Sequence, residues 1–359
     1  MQNRTLMIMA GGTGGHVYPA LAVARLLMEK GVSIVWVGNA GKIEQRVAEQ
    51  AGIPFETISV RGVRGNGVLR WLGMPFSVLR SMWEISRIVS RYQPSAALGM
   101  GGFVTGPGGL VAWMRRIPLL LHEANTIAGM TNRWLYRFCA RFMTGFDRCE
   151  GIDGEFEVTG NPVRDEICQV AQQRSRRADA EPLHLFVFGG SLGAQVFNEM
   201  VPQTLAEMPE AERPAVLHQT GRGKYDETRR RYEALGVRAD VREFIDDMAA
   251  AYRQADLVIS RAGAMSVAEI ACAGVASLLV PYPYAVSDHQ RHNAEFLVSR
   301  DAAVLVNQDA LQGGALLNVL KKLMHNRARL ARMGQAAAAL AKPEATHAVA
   351  DRCLEVLHA

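Results

Sequence analysis

Cysteine is scarce in this chain, and the way the few are placed excludes two chemistries. There are five, Cys139, Cys149, Cys168, Cys272 and Cys353. The number is odd, no CxxC pair occurs, and no Cys/His spacing suits a metal. They read as reduced thiols in a reducing compartment. Long apolar runs are missing too: nothing approaches the roughly 20 residues a membrane span requires. The N-terminal apolar run is shorter than a signal-peptide core, so the chain is expected to be made in the cytoplasm and to stay there. No glycine-rich turn closes with Gly-Lys-Ser/Thr, which removes the P-loop reading. No Asp-x-Asp pair appears, and no metal is expected. The second apolar strand, Ser33–Val37, ends in Gly38-Asn39, where a dinucleotide fold would carry an acid for the ribose. NAD is therefore not expected, and no other cofactor is called for.

What is present is the composition of an ordinary globular protein. Apolar residues make up 49% and charged residues 21% of 359 positions, enough for two domains, each with its own core. The formal charge of +5 invites an anionic partner, although its placement matters more than its total.

Along the chain a short apolar run, a glycine turn and a helix-length segment repeat. Leu6–Ala10, Ser33–Val37, Ala96–Met100, Leu119–Leu121 and Arg141–Thr144 read as buried strands, with a helix over Pro19–Lys30. The rhythm pauses near Thr159-Gly-Asn-Pro-Val-Arg164. A polar stretch from Gln169 to Glu181 follows, where almost nothing is suited to a core. The rhythm then restarts at Leu183–Phe188 and continues through Ala215–Thr220, Leu257–Ser260 and Ser277–Val280. Fully apolar strands alternating with helices imply parallel sheets covered on both faces. The two starts share one form: an apolar strand, Gly-Gly, a hydroxyl residue and Gly before a helix. The expected fold class is therefore α/β, with two Rossmann-like domains facing each other across a cleft. Domains are expected at 1–162 and 163–342, with a closing helix in 343–359; whether that helix returns to the first domain is open at this stage.

Glycine-rich turns at Gly11–Gly15, Gly99–Gly109 and Gly189–Gly193 can bring backbone N–H groups up to an anion at a helix N-terminus. One such turn alone is equally well explained by tight packing. In Ser260-Arg-Ala-Gly-Ala-Met-Ser-Val-Ala-Glu269 an acid follows a strand and glycine turn. Such a carboxylate can accept two hydrogen bonds from a ribose diol. The plain alternative is a first-turn acid favoured by the helix dipole.

Gly11-Gly-Thr-Gly-Gly-His16, Gly99-Met-Gly-Gly102, His122-Glu-Ala-Asn125, Gly160-Asn-Pro-Val-Arg164, Gly189-Gly-Ser191 and Ser260-Arg-Ala-Gly-Ala264 with Glu269 together resemble the MurG family over nearly the whole chain. Those transferases add N-acetylglucosamine to undecaprenyl-pyrophosphoryl-MurNAc-pentapeptide (lipid I) in peptidoglycan synthesis, and so serve cell shape and division. The resemblance implies a GT-B architecture, UDP-GlcNAc as donor and lipid I as acceptor, at the cytoplasmic face of the inner membrane. Other cell-wall synthesis proteins are further partners it suggests. It implies that Ser191 and its loop hold the donor phosphates, that Arg164 reaches the pyrophosphate, and that the Ile245 backbone reads the uracil. Glu269 would hold the ribose, Ala264, Met265 and Ser266 would lie along the donor, and Asn125 and Gln290 would face the GlcNAc. Thr13, Gly14 and Gly15 would form the facing loop and bind the donor from that side. The sequence departs from the family in His289 and Met265-Ser266, and His289 puts the bonding to the sugar hydroxyls in question.

The family reaction inverts the sugar carbon, which calls for a base at the acceptor hydroxyl and positive groups at the leaving diphosphate. His16, at the end of the first glycine loop, is the expected base; loop support without proton transfer is the other reading of it. His122 is a second candidate, readable as a buried strand-end residue.

Between Arg61 and Arg91 stand Arg64, Arg70, Arg80 and Arg87 with a single acid, Glu84, and among them Leu69, Trp71, Leu72, Met74, Phe76, Leu79 and Trp83. This mixture suits an anionic membrane surface, against the alternative of a core helix with a solvated basic face. No nucleic-acid motif is present. Three rival functions share the sequence features: a UDP-GlcNAc 2-epimerase, a UDP-sugar transferase acting on diacylglycerol or another lipid, and a non-enzymatic nucleotide-binding module.

Overall fold

A computed structural model describes residues 4–59, 68–174, 181–190 and 192–359. The chain divides into two compact units, Met1–Pro162 with Glu344–Ala359, and Val163–Pro343. In the first, β1 (Thr5–Ala10), β2 (Ser33–Gly38), β3 (Phe55–Thr57), β4 (Ala96–Gly101), β5 (Leu119–Glu123), β6 (Arg141–Thr144) and β7 (Glu157–Val158) form one sheet. Their order is β3-β2-β1-β4-β5-β6-β7, and every pairing is parallel. Alternate residues of β1 feed two cores. Leu6, Ile8 and Ala10 pack with Val17, Val23 and Leu27 of helix α1 (Gly14–Glu29). Met7 and Met9 face the other way, toward Ile85 and Ile88 of α3 (Val68–Tyr92) and Val111 of α4 (Thr105–Met114). This two-sided burial is why the strands carry no polar alternation, and each fully buried Leu or Ile contributes about 1.5–3 kcal/mol. Between β2 and β3 lies α2 (Ile43–Gln50).

The closing helix, Ala345–His358, belongs to this first unit. Val349, Ala350, Cys353 and Leu357 complete the α1 side of the core. Arg352 also bonds both carboxylate oxygens of Glu157 at 2.8 Å.

In the second unit β8 (His184–Phe188), β9 (Ala215–Gln219), β10 (Asp240–Arg242), β11 (Leu257–Ser260), β12 (Ala276–Leu279) and β13 (Ala303–Leu305) follow the order β10-β9-β8-β11-β12-β13, again all parallel. In each sheet the strand order reverses beside the first strand, β1 or β8. Ligands of open α/β sheets bind beyond the carboxyl ends of the strands at that reversal. The Gly11–Gly15 and Gly189–Gly193 turns leave the sheets at those two points.

Two features go beyond the sequence reading. The edge strands β3, β7, β10 and β13 have only two or three residues each, too few to show a pattern. In the polar stretch after Gln169 one residue, Val170, is fully buried, and Val170–Gln173 is helical, while residues 175–180 lie outside the described residues.

Among the described residues no helix is long and apolar enough to cross a membrane. On α3, Ile85, Ile88 and Val89 face inward. Phe76, Leu79 and Trp83 stand 76%, 62% and 60% exposed on the opposite face. Trp113 and Met114 at the end of α4, which packs against α3, are exposed as well. Arg61 and Arg64 lie outside the described residues.

Candidate active site

In the first unit β1 ends at Ala10, whose carbonyl accepts the Trp36 indole N–H at 2.9 Å. Gly12 then takes a positive φ of 95°, a conformation that favours glycine. Thr13 precedes α1 without capping it through its side chain and is exposed, while Gly14 and Gly15 are half-buried. The first turn of α1 therefore carries backbone N–H groups with no side-chain cap, the arrangement that receives anions.

His16 follows on this turn, half-buried. Its Nδ1 lies 3.2 Å from the Gly11 carbonyl. A carbonyl only accepts, so Nδ1 carries the proton and Nε2 of the neutral ring holds a lone pair. The ring lies against Gly101 (φ 106°), where an added Cβ would come within 2.8 Å of His16 Cδ2. At Gly102 an added Cβ would strike the Gly11 carbonyl. Gly101 and Gly102 thus clear space for protein, the His16 ring and the Gly11 backbone.

At the end of β5, His122 is 1% exposed and its Nε2 donates to the Gly160 carbonyl at 2.9 Å. Burial lowers its pKa more than that bond and the neighbouring Glu123 raise it, which fits the buried strand-end reading. Glu123 is itself buried and accepts four hydrogen bonds. The Asn125 backbone and side-chain N–H groups reach Oε1 at 3.0 and 3.1 Å, and Gly129 N–H and Asn132 Nδ2 reach Oε2 at 2.9 and 2.8 Å. Asn125 is thereby held in place, half-buried, after β5.

In the second unit Gly190 and Gly193 hold positive φ values of 80° and 67°. Gln219 Nε2 donates to the Gly190 carbonyl at 3.0 Å and Lys224 Nζ to that of Leu192 at 3.1 Å. Ser191 lies outside the described residues. Beyond β11, Gly263 precedes the helix Ala264–Ala273 without a side-chain cap. Ala264 is buried, while Met265, Ser266 and Glu269 are half-buried. Glu269 lies past the first turn and does not cap it. Its Oε2 accepts from the hydroxyl of buried Tyr252 at 3.1 Å. Burial pushes the Glu269 carboxyl up, while the nearby positive charge of Arg164 and the Tyr252 hydroxyl pull it down less strongly. Tyr252 is raised well above the usual phenol range by burial and by that carboxylate.

The same unit holds Ile245, 4% exposed in the turn after β10. Gln290 sits in the helix His289–Val298 and accepts from Tyr282 N–H through Oε1 at 2.9 Å. His289 Nδ1 donates to the Val286 carbonyl at 2.9 Å.

The structure thus brings Arg164 near Glu269 in one unit; in the other, Thr13, Gly14, Gly15 and His16 share the turn after β1, while Asn125 stands apart from them after β5 on the Glu123 carboxylate. Three buried groups were given no role by the sequence. Tyr252 and the Glu123 hub are defined by tertiary contacts alone. Arg261 is the third: it is buried between Phe197 and Tyr282, 5.1 and 5.3 Å from the ring centres, and bonds the carbonyls of Val280 and Pro281. Burial lowers it to about 10. A lone arginine directly after an apolar strand was its one visible signal.

Comparison with known proteins matches the glycosyltransferase family 28 N-terminal domain over residues 6–144 and the family 28 C-terminal domain over 184–349. The chain is 48% identical over 351 residues to the UDP-N-acetylglucosamine–N-acetylmuramyl-(pentapeptide) pyrophosphoryl-undecaprenol N-acetylglucosamine transferase of Alkalilimnicola ehrlichii, covering 98% of each chain. The crystal structure of Acinetobacter baumannii MurG superposes with a TM-score of 0.83 at 38% identity, over 98% of this chain and 99% of that one. A UDP-GlcNAc 2-epimerase from Neisseria meningitidis, solved with UDP-GlcNAc, gives a TM-score of 0.65 at 12% identity, covering 98% of this chain and 100% of that one. That likeness extends to the fold alone.

Proposed function

Since this chain belongs to the MurG family within glycosyltransferase family 28, we propose that it transfers N-acetylglucosamine from UDP-GlcNAc to the MurNAc 4-hydroxyl of lipid I. The observation that carries the donor half is the Glu269 carboxyl. It is anchored by Tyr252 on one oxygen and lies near Arg164, on the helix Ala264–Ala273 that follows β11, in the unit whose sheet reverses its strand order beside β8. Glu269 accepts the ribose hydroxyls. Arg164, the turn that includes Ser191, and the uncapped helix beginning at Ala264 offset the charge that grows on the departing diphosphate. Ile245 meets the uracil through its backbone, Met265 and Ser266 line the donor, and Gln290 and Asn125 bond the sugar hydroxyls.

His16 supplies the base. As the acceptor oxygen forms its bond to C1 of GlcNAc, the bond from C1 to the UDP oxygen breaks, and the hydroxyl proton passes to His16 Nε2. The Nδ1–H bond to Gly11 leaves that nitrogen ready to receive it. Thr13, Gly14 and Gly15 bring the N–H groups of α1 toward the acceptor diphosphate.

The exposed Phe76, Leu79, Trp83 and Trp113, with Arg80, Arg87, Arg91, Arg115 and Arg116 on the same two helices or just beyond them, are read as the face that meets an anionic membrane. A lipid-linked acceptor on the cytoplasmic leaflet would be reached from that face. UDP release measured with lipid I, with diacylglycerol and without acceptor tests the whole reading. Release only with lipid I supports it; release with diacylglycerol alone, or epimerised UDP-GlcNAc without acceptor, overturns it.

A further inference from the structure

Glu44, at the start of α2, is fully buried. Its Oε1 accepts from Asn39 N–H just past β2 at 3.3 Å, and its Oε2 has no partner. A buried carboxyl left half-satisfied is an expensive way to fill space that an apolar side chain could occupy. Two glycines nonetheless make room for it. A Cβ on Gly11 would stand 2.8 Å from Glu44 Oε1, and a Cβ on Gly38 would stand 2.8 Å from Glu44 Cγ.

Gly11 is held from its other sides as well. Its N–H donates to the Gly101 carbonyl at 3.4 Å, its carbonyl accepts from His16 Nδ1 at 3.2 Å, and Gly102 packs on that carbonyl. One peptide therefore joins the buried carboxyl below it to the imidazole above it. We propose that Glu44 is a positioning residue: wedged beneath Gly11 and tied to the Asn39 turn, it fixes the carbonyl that selects the Nδ1–H tautomer of His16. Glu44 does not touch substrate. The proposal rests on the reading of His16 as the base, because only then does the tautomer matter to turnover. Where a catalytic histidine loses the group that sets its tautomer, rates fall by as much as about 10⁴. Here the carbonyl remains and only its support is lost, so a smaller effect is expected.

The test uses the full chain labelled with ¹⁵N-histidine, the His16 signals being identified by their loss in His16→Gln. The wild type should show the Nδ1–H pattern. In Glu44→Ala, and in Glu44→Asp, which withdraws the carboxyl by one methylene while keeping the site polar, the pattern should move toward Nε2–H. Turnover should fall about 10- to 100-fold, with KM for UDP-GlcNAc within about threefold. Glu44→Gln keeps the shape and the acceptor for Asn39, and should keep both the tautomer and turnover within about threefold of wild type. An unmoved tautomer in Glu44→Asp beside an inactive His16→Gln overturns this proposal alone. Full turnover in His16→Gln overturns the base reading, and this proposal with it.

Discussion

Replacing Glu269 by Gln should weaken donor binding and at the same time stabilise the free protein near neutral pH. The wild-type carboxyl has one oxygen on Tyr252 and can offer its remaining acceptor positions to the two ribose hydroxyls. The amide keeps one acceptor oxygen and loses the charge. A hydrogen bond to a charged group is worth about 1.5–3 kcal/mol, so affinity for UDP-GlcNAc should drop about 10- to 150-fold. Stability moves the other way. Burial raises the folded-state pKa of Glu269 despite Arg164 and Tyr252, so its contribution is most favourable below the unfolded carboxyl pKa, about 4.3, and is lost as pH rises through the raised folded value. Gln lacks that loss. The melting temperature of Glu269→Gln minus that of wild type should be positive at pH 7–8 and shrink toward zero near pH 4. Calorimetric titration and melting curves across pH measure both. Unchanged donor affinity would refute the ribose assignment, and a variant less stable at pH 7 than at pH 4 relative to wild type would refute the electrostatic argument.

Tyr252→Phe removes the hydroxyl from Glu269 without touching the donor, and should cost about 1 kcal/mol of UDP-GlcNAc affinity, measured by the same titration. Glu123→Ala removes the four hydrogen bonds that Asn125, Gly129 and Asn132 make to this buried carboxylate; urea denaturation should show a loss on the order of 3 kcal/mol. The triple change Phe76→Ser, Leu79→Ser and Trp83→Ser removes exposed side chains only. It should abolish sedimentation with anionic vesicles while leaving the melting temperature and turnover of a short-chain soluble acceptor near wild type; persistent vesicle binding would rule out this face.

The long central strands were legible because parallel strands covered on both faces must be apolar throughout, as Leu6–Ala10 and Leu257–Ser260 are. The edge strands β3 and β10, at three residues each, leave no such trace. The glycine loops were visible, but what each glycine faces was not. Gly12 needs only its backbone conformation and Gly11 only the space that Glu44 fills, whereas Gly101 and Gly102 need both, holding positive φ beside the His16 ring and the Gly11 backbone. His16 and Glu269 could be picked out as candidates from their places after a glycine turn. Their supports could not, because Tyr252 meets Glu269 through the packing of two helices and Glu44 meets Gly11 across two strand ends. No spacing in the sequence encodes either contact.

The most direct test of the proposed reaction is turnover of lipid I by His16→Gln, with donor affinity measured on the same preparation. The amide can still hydrogen-bond to the loop but cannot take a proton. The rate should fall by about 10²–10⁴, with UDP-GlcNAc affinity within about threefold of wild type. A His16→Gln enzyme that turns over lipid I at close to the wild-type rate would contradict His16 as the base that deprotonates the acceptor.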